Sequence, residues 1–102
     1  MTFAGAGKPA LKITAEAHTE MEEKKIGVAA IIVEDPESAL KVNEVLHKFG
    51  SLIVGRLGVP YRERGISIIC VVLDGTLDEI SALTGQLGKI DSVTVKAAVS
   101  KK

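Results

Sequence analysis

The stretch Ile66–Leu73, ISIICVVL, constrains this chain most tightly, because it is apolar on both of its alternating sides. Read as a strand, it turns Ile66, Ile68, Cys70 and Val72 one way and Ile69, Val71 and Leu73 the other. Such a strand has to be covered on both faces. An earlier apolar run, Ser51–Val59, leads into it through Pro60-Tyr61-Arg62-Glu63-Arg64-Gly65. With 102 residues in all, there is material for one domain and one core. The chain can therefore cover one face of the strand by itself. The other face is expected to meet a partner subunit or a ligand.

Apolar residues make up 46% of the chain and aromatics only 3%, so the expected core is aliphatic. Thirteen basic and thirteen acidic side chains cancel. That balance excludes a globally basic surface built to hold nucleic acid or anionic lipid and leaves room only for a local patch. Cys70 is the single cysteine. It rules out an intramolecular disulfide, a self-contained cysteine-ligated cluster and a Cys-rich zinc site. An electron-carrying ferredoxin is excluded on that count, no cofactor is expected, and the count suits a reducing compartment. No stretch approaches the ~20 apolar residues of a membrane span, and no signal-peptide pattern opens the sequence. The expected location is the cytoplasm.

Residues 1–23 differ from the rest, being rich in Ala, Gly, Thr and Glu. They read as a flexible leader before a domain over residues 24–102. Met21 is an alternative start, since a complete domain pattern begins just after it. Ile26–Val33 is a continuous apolar run of strand length. Asp35 is placed to cap a helix with Pro36 in its first turn. Ala39, Val42, Leu46 and Phe49 then recur at helical spacing, Lys41, Glu44 and Lys48 take the wet side, and Gly50 is the expected C-cap. Strands follow at Ser51–Val59 and Gly65–Leu73. Thr76-Leu77-Asp78-Glu79 spells a capping box for a second helix that buries Ile80, Leu83 and Leu87 and ends at Gly88. Gly85 inside it costs ~1 kcal/mol against Ala, which predicts close backbone packing there. Val93, Val95, Ala97 and Val99 alternate with Thr94, Lys96, Ala98 and Ser100, the pattern of a half-buried strand.

Strand-helix-strand thus occurs twice, the order of a ferredoxin-like βαββαβ sandwich in the α+β class. In that fold the first and third strands are central and the second and fourth lie at the edges. The hydrophobicity agrees: the first and third runs are apolar on both faces and the fourth alternates. Two helices would cover one face of a four-stranded antiparallel sheet. The opposite face would expose an unusually large aliphatic patch for a monomer. Burying even ~400 Å² of it is worth ~10 kcal/mol before association costs. Homo-oligomerisation through that face, or through paired edge strands, is expected.

Three stretches carry a family resemblance: IIVEDPESALKVNEVLHKFG (31–50), IVGRLGVPYRERGISII (53–69) and ISALTGQLGKIDSVTVKA (80–97). Together they resemble a small bacterial family of ACT-like domains named as candidate regulators of the iron-only hydrogenase system. The resemblance covers Lys25–Lys101 and leaves the leader outside. It implies a stand-alone relative of the regulatory ACT domain and of the metal-responsive C-terminal domain of nickel-dependent repressors. Such domains associate through their sheets and often bind small effectors at subunit interfaces. No helix-turn-helix or ribbon arm accompanies the domain, so a role in transcription would run through a partner.

Arg56, Gly58, Pro60 and Tyr61 form the first candidate site. Glycines around a lone arginine on a strand let a ligand approach the backbone and leave the guanidinium free to clamp a carboxylate or phosphate. The structural alternative pairs Arg56 with Glu63 or with an acid of a neighbouring subunit, and has Tyr61 peripheral. The Glu34–Ser38 loop lies where ACT domains place effector contacts, but Glu34, Asp35 and Glu37 would repel an anion and read better as capping and dipole residues. His47 and Cys70 are the weak candidates for metal ligation, which would need two subunits. A buried, inert thiol and a helix-end imidazole explain them without a metal. His18 lies in the leader and carries no weight. Thr84–Lys89 is superficially similar to a phosphate loop, but it ends a helix rather than starting one, and helix carbonyls repel phosphate.

These readings favour a non-catalytic, homo-oligomeric regulatory module binding a small effector or a protein partner. The alternative is a metal or redox sensor with ligands shared across an interface. An enzyme is not expected, since the sequence offers no nucleophile–base pair or paired carboxylates. Neither a nucleic acid nor a membrane is an expected direct partner.

Overall fold

The computed structural model describes residues 23–102, so the expected leader lies outside the described residues except for Glu23. Strand β1 (Lys24–Val33) leads through a 3-10 turn (Pro36–Ser38) into helix α1 (Ala39–Lys48). A second 3-10 turn (Gly50–Leu52) opens β2 (Ile53–Tyr61), and a third (Arg62–Arg64) connects it to β3 (Ile66–Thr76). Helix α2 (Leu77–Gly88) and β4 (Val93–Val99) complete the domain. The four strands form one antiparallel sheet in the order β2-β3-β1-β4, so the two doubly apolar strands are central. The domain is of the α+β class.

Local chemistry sets most of the boundaries. The Asp35 carboxylate accepts the Glu37 N–H at 3.0 Å, with Pro36 in the first turn, where its missing donor costs nothing. Ser38 is buried there and donates its hydroxyl to the Asp91 carbonyl at 2.7 Å, fastening the start of α1 to the approach to β4. The capping box of α2 is complete. Thr76 N–H donates to Glu79 Oε1 at 2.8 Å and Glu79 N–H to Thr76 Oγ1 at 3.1 Å. Backbone pairing continues past the apolar runs, so β1 begins at Lys24 and β3 continues to Thr76.

Two glycines depart from expectation. Gly50 does not close α1 in the left-handed conformation; Gly65, at φ 66°, is the described glycine with positive φ. The chain instead passes into another tight turn, and Leu52 N–H donates to the Phe49 carbonyl at 2.9 Å, so no left-handed cap is required. Gly85 has no atom within 4 Å of the place a Cβ would take. It lies two residues from both Leu83 and Leu87, on the far side of α2 from the buried stripe. Close packing belongs to Gly75, where a Cβ would stand 2.8 Å from Leu52 Cδ2 and 2.9 Å from Glu79 Oε1.

The core lies on one side of the sheet. Ala29, Ile31 and Val33 of β1 and Ile69, Val71 and Leu73 of β3 meet Val42 and Leu46 of α1 and Ile80, Leu83 and Leu87 of α2. Register brings Ile31 opposite Ile69 and Ala29 opposite Val71, so these residues share a face. Each large aliphatic side chain buried there is worth about 1.5–3 kcal/mol. Both helices are spent on this side.

Candidate functional site

The other face of the sheet is assembled by the same register. Val28 pairs with Val72, Ala30 with Cys70 and Ile32 with Ile68; Cys70 and Ile68 continue to Leu57 and Val59 on β2. Ten large apolar residues are exposed among the described residues, and seven of them stand here: Ile26, Val28, Ile32, Leu57, Val59, Tyr61 and Val72. Lys96 of β4, opposite Ala30, brings a charge to one margin. Cys70 is half-buried at the centre of this surface. The sequence reading expected an enclosed thiol, because the run around it is apolar throughout. The helices lie on the other side and cannot enclose it.

The first candidate site is divided by the strand it lies on. Arg56 pairs with Val71 and Gly58 with Ile69, both buried, which puts Arg56 and Gly58 on the helix side of edge strand β2, with Pro60 following in phase. Tyr61 pairs with Ile66 and belongs to the open face. All four are exposed. The reason is that β2 runs on through Tyr61, so alternation separates neighbours that would have stood together in a connecting loop. The Arg56 guanidinium is not loose: its Nη2 donates to Asn43 Oδ1 on α1 at 3.0 Å. Asn43 in turn donates Nδ2 to the Ala39 carbonyl at 3.1 Å, which orients the amide. Sequence reasoning missed Asn43. Its position on the helix carries a faint signal, since it is neutral between the charged Lys41 and Glu44, but nothing local says that α1 lies beside β2.

The remaining candidates stay apart. His47 is exposed near the end of α1, with Cys70 on the far side of the sheet, so one chain does not bring them together. No group of three or more His, Cys, Asp and Glu fit to hold a metal ion occurs among the described residues. The Glu34–Ser38 loop is occupied with capping, and Glu34 N–H also donates to the Ser92 carbonyl at 2.8 Å. Thr84–Lys89 closes α2: Thr84 Oγ1 donates to the Ser81 carbonyl at 3.2 Å and Lys89 N–H to the Gln86 carbonyl at 3.3 Å. No helix among the described residues is long and apolar enough to cross a membrane.

Residues 25–97 match the TM1266-like family, described as "Iron-only hydrogenase system regulator, putative". Among solved structures, the uncharacterized protein TM1266 from Thermotoga maritima is 45% identical, with a TM-score of 0.74 over 78% of this chain and 100% of that one. A weaker likeness is to the divalent ion tolerance protein CutA1 from Ehrlichia chaffeensis, at 13% identity and TM-score 0.44 over 78% of this chain and 84% of that one. It bears on neither fold nor function. No curated protein matches the chain.

Proposed function

Since the chain belongs to the TM1266-like family, we propose that it is a non-catalytic regulatory module of ferredoxin-like, ACT-like architecture serving an iron-only hydrogenase system. In this reading it works in the cytoplasm as a homo-oligomer joined through the open face of its sheet. It answers to a small effector or a protein partner, and any effect on transcription runs through that partner. The observation that carries the proposal is the gathering of seven exposed large apolar side chains on one face. An aliphatic surface of that kind gains about 25 cal/mol for each Å² it removes from water. Two copies stacked face to face satisfy it with the sheet-on-sheet packing that twisted sheets allow. Arg56, Gly58 and Pro60 are the proposed effector contacts on the helix side. Tyr61 belongs to the interface instead.

A metal or redox sensor is the second reading, favoured by the half-exposed thiol of Cys70 on the face that stacking would close. Ligands shared through that face would be the Cys70 of each copy, and His47 would take no part.

Native mass spectrometry of untagged protein at low micromolar concentration tests the proposal. The expected result is a dimer or tetramer, with Val28→Lys reduced to monomer while its circular dichroism is unchanged. A wild-type chain that is monomeric under these conditions overturns self-association. Mass in excess of the bare oligomer that Cys70→Ala removes would favour the sensor.

A further inference from the structure

One exposed large apolar residue, Leu40, stands off the open face beside the Asn43 that holds Arg56. Leu40 lies one turn before Asn43 on α1 and is 67% exposed. His47 follows Asn43 by one turn on the same helix flank. The strand beside it is nearly bare: a Cβ at Gly58, on the same side of β2 as Arg56, would meet no atom within 4 Å. Beside this ledge the Arg56 guanidinium is held by a neutral acceptor, Asn43 Oδ1, and among the described residues no carboxylate pairs with it. One hydrogen bond fixes the direction of the fork and leaves its charge and most of its five donors unused.

We infer that this flank between α1 and β2 seats a small amphipathic carboxylate, with Arg56 taking the carboxylate and Leu40 taking its aliphatic tail. The inference rests on the effector reading above and names the effector's chemistry. A planar, singly charged carboxylate matches a planar, singly charged guanidinium two atoms to two atoms. A phosphate dianion is less well served. The ledge offers one fixed cation, and the N-terminal approach to α1 carries Asp35 and Glu37 rather than free donors. His47 supplies a further ring N–H for an oxygen that Arg56 leaves exposed. Asn43 acts as a positioning residue, because it ties one end of the fork to the helix without neutralising it.

The test is a titration of the full-length isotope-labelled chain with sodium hexanoate, followed by NMR, with the mass of the assembly measured on the same samples. Saturable shifts are expected at the Arg56 side-chain Nε and at the amides of Asn43, His47 and Gly58. Arg56→Gln should weaken binding by about tenfold or more, the loss of a charge-assisted pair, while its spectrum reports that the fold is intact. Arg56→Lys should recover only part of the affinity. Equal shifts with hexanol would overturn the inference by showing that only apolar surface is read. So would equal shifts with inorganic phosphate, shifts confined to Val28, Cys70 and Val72, or an unaffected Arg56→Gln. A wild-type oligomer that hexanoate leaves unshifted removes the carboxylate seat alone; a wild-type monomer removes self-association, whatever hexanoate does.

Discussion

The two faces of this sheet are made by the same strands from much the same side chains, yet one is dry and the other wet. Ile31 and Leu73 are completely buried, whereas Val28 and Val72, on the same two strands, keep 47% and 38% of their surface exposed. Apolarity does not distinguish them. Two helices do, because among the described residues both lie on one side of the sheet. Burial here is decided by what is available to cover a residue, and the surplus aliphatic surface is what the proposed self-association would cover.

The comparison can be tested on adjacent residues of β3. Leu73→Ala should cost about 2–5 kcal/mol in urea denaturation at any protein concentration, because it opens a cavity in a closed core. Val72→Ala should cost less than about 1 kcal/mol in dilute protein and, under the proposed self-association, more as concentration rises. If Val72→Ala proved as costly as Leu73→Ala at high dilution, the open face would already be supported within one chain and the contrast would fail. Next in size is Gly75→Ala, where the new methyl meets Leu52 and Glu79 at the seam between strand and helix. Thermal unfolding should register a loss of about 1–3 kcal/mol. The smallest effect sharpens the boundary of the wet surface. Gly85→Ala should stabilise by up to about 1 kcal/mol, since the position faces open space on the outside of α2. A loss appearing only at concentrations where copies associate would instead bring that flank of α2 into the interface.

Much of the architecture could be read from residue order. Thr76 and Glu79 announced their reciprocal bonds, and Asp35 with Pro36 announced the start of a helical turn, because both devices are complete within four residues. The doubly apolar runs revealed which strands are central. Gly50 and Gly85 misled, since a glycine permits a left-handed turn or a close approach without requiring either. The site was less legible. Separating Tyr61 from Arg56, Gly58 and Pro60 needs the true end of β2, and the apolar pattern breaks off at Val59 while the pairing with β3 does not. The bond from Arg56 to Asn43 joins residues thirteen apart through the packing of a helix beside an edge strand, and no local pattern encodes that.

The doubly apolar β3 also bears on how the chain finds its alignment. Hydrophobic alternation normally forbids a strand from slipping by one place, since a slip would drive polar side chains into the core. Along Ile68–Leu73 that veto is silent, because Ile68, Cys70 and Val72 are nearly as welcome under the helices as Ile69, Val71 and Leu73. The correct pairing must then be recognised by its punctuation. Gly75 fits only where Leu52 and Glu79 close over a position without a side chain, Gly65 fixes the left-handed bend, and the irregularity between Ile53 and Gly55 takes up one extra residue. In this sheet the oily residues supply adhesion, and a few places at the strand ends keep the count.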